Sequence, residues 1–105
     1  MIKHIIKDEF KKLALESKKL VIVDFYASWC GPCLYMEPVL EEVAAETIDN
    51  VDFFKVNIDE ERDLAIDQSI VSIPTLIFIK NGLIIFKHTG TISKEDLLSK
   101  INTIL

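Results

Sequence analysis

The chain has 105 residues, half of them hydrophobic and 28% charged, with a net charge of −5 at neutral pH. That is enough apolar material for one core and enough charge to solvate its surface, which excludes a disordered tail, a collagen-like chain and a multidomain enzyme. The bases number 12, with Arg62 the only arginine, and the acids 17. Such a chain is a poor reader of phosphate, so nucleic acid is not expected as a partner.

The longest uncharged stretches, Phe25–Met36 and Gln68–Ile79, fall short of the roughly 18 apolar residues of a membrane span, and each contains proline. The opening residues are broken by Lys3, His4, Lys7 and Asp8 and carry no apolar run of the secretory type. The expectation is a cytoplasmic chain without membrane attachment.

Along the chain, the period of the apolar pattern alternates between strand and helix. Ile2–Ile6 reads as a short strand. Asp8 is a candidate cap for a helix to about Ser17, with Phe10, Leu13 and Ala14 on one face. Leu20–Tyr26 is β-branched and aromatic, apolar on both faces except at Asp24, which suits a central strand. A second helix is predicted from about Pro32 to Glu46. Met36, Val39, Leu40, Val43 and Ala44 recur at helical spacing, and Pro38 is expected to kink it.

Val51–Ile58 is the third strand, and Asp59 a candidate cap for a short helix to about Gln68. Thr75–Lys80 and Leu83–His88 form a hairpin about Asn81-Gly82. Ser93 caps a last helix whose Leu97, Leu98, Ile101 and Ile104 face inward. The order β-α-β-α-β-α-β-β-α implies an α/β fold: one domain over 1–105, with a mixed five-stranded sheet between two layers holding four helices. Strands joined through helices are expected to run parallel, and the final hairpin to add an antiparallel edge.

The chemistry-bearing feature is Trp29-Cys30-Gly31-Pro32-Cys33, at the junction of a strand and a helix. Only these two cysteines are present, three residues apart. A bridge across so short a loop excludes little unfolded-chain entropy, so the pair makes more sense as chemistry than as a staple. A thiolate at a helix N-terminus is stabilised by unpaired N–H groups, which raises its nucleophilic fraction. Cys30, at the helix mouth, should be the more exposed thiol and Cys33 the more shielded. Pro32 fits the first helical turn. Zinc binding competes poorly, because a structural site needs about four ligands and His4 and His88 lie in separate strands.

At this point the sequence resembles the thioredoxin family. The likeness is carried by Val21-Ile22-Val23-Asp24-Phe25-Tyr26-Ala27, Trp29 to Cys33, Pro38, Lys55 with Asn57-Ile58-Asp59, Ile73-Pro74-Thr75, Lys80-Asn81-Gly82 and Gly90. It covers essentially the whole chain. It implies a thioredoxin fold and a protein-disulfide reductase active in cell redox homeostasis. Cys30 would be the attacking nucleophile and Cys33 the resolving one, cycling through a Cys30–Cys33 disulfide.

Asp24 stands in a hydrophobic strand, where burial would raise its pKa. By resemblance it accepts the proton of Cys33, with Lys55 as its charge partner. From the residues alone, Asp24 could be an edge carboxylate and Lys55 an ordinary strand lysine. Pro74 could be a trans strand-start proline; the resemblance makes its peptide bond cis and sets it facing the cysteines. Gly31 and Pro32 would tune the redox potential toward the reducing end. Trp29, Ile58, Ile73, Pro74 and Gly90 would form an apolar substrate-binding surface, in which Ile73 offers its backbone to an extended target.

The resemblance also implies that no metal or cofactor binds the chain. Electrons would arrive from NADPH through a flavin-containing thioredoxin reductase, and the partners would be that reductase and disulfide-containing proteins. A monomer is the expected state. Leu34 departs from the family's frequent lysine or arginine after the second cysteine, Tyr26 from a frequent tryptophan, and Ser72 from a frequent glycine. Two other readings remain: a thiol oxidase or isomerase of the same fold, and a docking module whose dithiol is incidental.

Overall fold

In the computed structural model, which describes residues 2–105, five strands form one sheet in the order β1-β3-β2-β4-β5. Its strands are β1 (Lys3–His4), β2 (Leu20–Tyr26), β3 (Val51–Asn57), β4 (Thr75–Lys80) and β5 (Leu83–Thr89). The helices are α1 (Lys7–Phe10), which widens into a π-helical segment over Lys11–Leu15, α2 (Gly31–Glu46), α3 (Arg62–Asp67) and α4 (Lys94–Ile104).

The alternation of β2 sorts the core into two halves. Leu20 and Ile22 pack with Met36, Leu40 and Val43 of α2 and with Leu97 and Ile101 of α4. Val21, Val23 and Phe25 point the other way, onto Phe10 and Ala14 of the first helical segment and Leu64 of α3. Helices therefore cover both faces of the sheet, and β2 is buried along nearly its whole length. This is the thioredoxin fold that the family resemblance implied.

Orientation departs from expectation at one place. β1, β3 and β2 run parallel, but β4 is antiparallel to β2 although a helix connects β3 to it. β3 ends at Asn57 and β4 begins at Thr75 at the same end of the sheet, so the segment that carries α3 returns the chain without crossing the sheet. There Tyr26 pairs with Asn57, and its neighbour Phe25 with Thr75.

Two capping expectations also fail locally. Ile6, not Asp8, is the boundary residue of α1, and its N–H donates to the Glu9 carboxylate at 3.1 Å. The strand before it is accordingly reduced to Lys3–His4. Asp59 does not cap α3, which starts after Glu61. Asn57 Oδ1 instead accepts from the N–H groups of Asp59 and Glu60 at 2.9 and 3.3 Å, so a side-chain turn intervenes before the helix.

Other local readings stand. Ser93 accepts from the Asp96 N–H at 3.1 Å and caps α4. Asn81 and Gly82 both have positive φ, 53° and 81°, as the tight hairpin turn requires. α2 runs on through Pro38 to Glu46.

Candidate active site

β2 ends at Tyr26, and four residues later the chain enters α2. Cys30 is the N-cap of that helix, and its Sγ accepts from the Cys33 N–H at 3.2 Å. Proline at the second helical position forfeits no bond, because N–H groups of the first turn have no intrahelical acceptor. Cys30 and Cys33 are joined as a disulfide. In this oxidised state both are buried, Cys30 at 5% exposure and Cys33 at 2%, so the expected difference between them is small. Gly31 and Pro32, between them, are exposed.

The predicted binding residues collect around this pair. Ile58 and Ile73 pack against the cluster of Ala27, Cys30 and Cys33. The Ile73–Pro74 peptide is cis. Gly90 has φ 96° and donates its N–H to the Pro74 carbonyl at 2.8 Å, which seats the loop after β5 beside that proline. The same loop is tied to α2, since the Ile92 N–H donates to Sδ of Met36 at 3.4 Å. Trp29 is 70% exposed, and its indole N–H donates to Asp59 Oδ2 at 2.8 Å. Leu34 and Tyr35 in the first turns of α2 are also open to solvent.

Asp24 is buried, at 3% exposure, and its Oδ1 has no hydrogen-bond partner. Burial pushes its pKa up to about 7. The Lys55 ammonium pulls it back down, and Glu37 of α2 pushes it up again. Lys55 is the residue paired with Asp24 across β2 and β3, on the same face of the sheet. The solvent-facing alternative for Asp24 is thereby excluded. Among the described residues, no group of three or more His, Cys, Asp and Glu is placed to hold a metal ion, and no helix is long and apolar enough to cross a membrane.

Sequence reasoning did not foresee three participants. Asp59 orients Trp29, though it reads as a helix cap; a carboxylate in the loop after a site-bearing strand was the available signal. Glu37 acts on Asp24 from one helical turn beyond Cys33. Tyr26 bonds to His4, a pairing that only the parallel register of β1, β3 and β2 brings within reach.

The thioredoxin family model matches residues 1–103. This chain belongs to the thioredoxin family. A thioredoxin from Rickettsia felis is 39% identical over 102 residues, 97% of each chain. One from Haemophilus influenzae is 36% identical over 99 residues, 94% of this chain and 92% of the relative. Thioredoxin-T of Drosophila melanogaster is 43% identical over 96 residues, and the match spans 90% of this chain but 60% of that longer protein. A thioredoxin with its redox-active cysteine pair present is a protein dithiol–disulfide oxidoreductase, and Cys30–Cys33 is that pair.

Proposed function

We propose that this thioredoxin reduces disulfides in target proteins, with Cys30 attacking and Cys33 resolving. The observation that carries the reading is the Cys30–Cys33 disulfide at the N-terminus of α2, in a chain whose β2 also holds a buried carboxyl, Asp24, with its pKa pushed up to about 7.

In the reduced protein the Cys30 thiolate attacks one sulfur of a target disulfide. A Cys30–target bond forms, the target's own S–S bond breaks, and the first target thiolate leaves and takes a proton from water. The Cys33 thiol then gives its proton to Asp24 and attacks Cys30 Sγ. The Cys30–Cys33 bond forms and the second target sulfur is expelled as a thiolate, which is protonated in turn as Asp24 gives up the proton it took. The target gains two electrons and two protons, and this chain is left oxidised.

A carboxyl held near pH 7 suits that proton transfer, because an acceptor works best when its pKa matches the operating pH. Burial makes Asp24 more basic than an ordinary carboxylate, and Lys55 lowers that basicity. Gly31 and Pro32 fix the geometry between the sulfurs and so tune their potential. The surface of Trp29, Ile58, Ile73, Pro74 and Gly90 receives an extended segment of the target, with the Ile73 backbone as its pairing partner.

In this reading residues 1–105 act as one thioredoxin domain, as a cytoplasmic monomer. A flavin-containing thioredoxin reductase fed by NADPH returns the pair to the dithiol. Cys33→Ser tests the order of attack. Incubated with an oxidised protein substrate, it should accumulate a mixed disulfide through Cys30, visible by mass spectrometry, while Cys30→Ser accumulates none and loses turnover. Asp24→Asn should slow the resolving step at pH 7. A Cys30→Ser variant that reduces disulfides at the wild-type rate defeats the assignment.

A further inference from the structure

His4, Lys55, Asp24, Leu76 and His88 occupy one row across all five strands, each paired in register with the next. Residues paired in this way project from the same face. Lys55 thus stands between His4 on one side and Asp24 on the other. No ion pair among the described residues fixes its ammonium.

What the ammonium rests against is Tyr26. That residue is two positions beyond Asp24 on β2, on the same face, and the Lys55 Nζ lies 5.7 Å from its ring centroid. Tyr26 Oη meets His4 Nδ1 at 2.9 Å, and the two rings pack edge to face at 5.7 Å. The tyrosine therefore reaches from β2 over β3 to β1, across the top of Lys55. A lysine stem is flexible, and its ammonium stays in one place only where something holds it. An aromatic face and a hydrogen-bonded hydroxyl at the far end of the ring supply that hold.

We propose that Tyr26, anchored by His4, is a positioning residue that keeps the Lys55 ammonium beside Asp24 and so sets the proton affinity of the carboxyl. This rests on the reading of Asp24 as proton acceptor and deepens it. The groups that act on Asp24 are Lys55 from β3 and Glu37 from α2, with Tyr26 and His4 behind Lys55; Glu60 acts on Tyr26. Of these, Lys55 is the one whose ammonium lies over the tyrosine ring. Loss of the hold lets the ammonium move into solvent, and Asp24 becomes harder to ionise.

The test is the titration of the Asp24 carboxyl carbon by NMR in the oxidised protein, where neither cysteine titrates, with Asp24→Asn to assign the signal. Tyr26→Leu should move the midpoint up by about half a pH unit or more. Lys55→Met should move it up at least as far, and Tyr26→Leu added to Lys55→Met should move it no further. His4 is exposed, so His4→Val can be made without disturbing the core; it should move the midpoint part of the way, and His4→Gln, which can still bond the hydroxyl, should restore it.

A midpoint that Tyr26→Leu leaves in place or lowers overturns the proposal. So does an equal shift with and without Lys55, because the tyrosine would then act by burying Asp24. An Asp24→Asn protein that exchanges disulfides at the wild-type rate overturns the proton-acceptor reading instead, whatever the titrations give.

Discussion

The indole N–H of Trp29 donates to Oδ2 of Asp59 at 2.8 Å, tying the loop before α2 to the loop after β3. The ring is otherwise open to solvent, so this bond is its main restraint. The rim of the dithiol is thus held in a fixed pose by a residue outside the Trp-Cys-Gly-Pro-Cys segment.

Asp59→Ala should free the indole. One hydrogen bond is worth about 1 kcal/mol, or about a fivefold effect on a step that depends on the ring's position. Reduction of a protein disulfide should slow by about that factor, while a small disulfide, which needs no such surface, slows less. Trp29 is the only tryptophan, so its fluorescence anisotropy should fall in parallel. Equal rates with both substrates and unchanged anisotropy would show that the bond restrains nothing.

Asp24 makes stability depend on pH in a defined direction. Its folded-state pKa, about 7, lies above the ordinary 3.8. The folded protein therefore holds a proton that the unfolded chain releases, and the associated stability is fully present below pH about 4 and lost as pH rises through 7. The shift corresponds to a swing on the order of 4 kcal/mol. Asp24→Asn removes the swing. Denaturant unfolding should find the variant more stable than wild type by a few kcal/mol at pH 8, with the gap closing toward pH 4. A gap that does not change with pH would contradict a buried, titrating Asp24.

The β4–β5 turn gives a prediction remote from the chemistry. Gly82 has φ 81°, and a Cβ built on it would meet the backbone carbonyl oxygen of Leu15 at 3.1 Å. Gly82→Ala adds both strain and crowding against backbone that cannot swing aside. It should cost about 1–2 kcal/mol in thermal or chemical unfolding and leave the exchange rate per folded molecule unchanged.

The features legible in the sequence are those written in local pattern. The apolar run with one acid that makes β2, the helical spacing from Met36 to Ala44, the Ser93 cap and the Asn81-Gly82 turn each depend on residues a few positions apart. The features not legible depend on partners far along the chain. Asp59 fails as a cap because Trp29, thirty residues earlier, takes its carboxylate and Asn57 orders the turn. β4 reverses because the segment that carries α3 returns the chain at the end of the sheet where β3 left it, a path that the periodic pattern does not encode. The cysteine pair and Asp24 could be found because their chemistry is visible as residue type in an unsuitable setting. The His4–Tyr26 bond could not, since it joins strands that are not neighbours in the sheet and meet only across β3.

The most direct test of the central claim is the reduction potential of the Cys30–Cys33 pair, equilibrated against a dithiol buffer and read through the fluorescence of the adjoining Trp29. A reductant of target disulfides should equilibrate reversibly near the value characteristic of thioredoxin, about −270 mV. A value near about −120 mV, that of a dedicated thiol oxidant, or a pair that does not exchange at all, would contradict it.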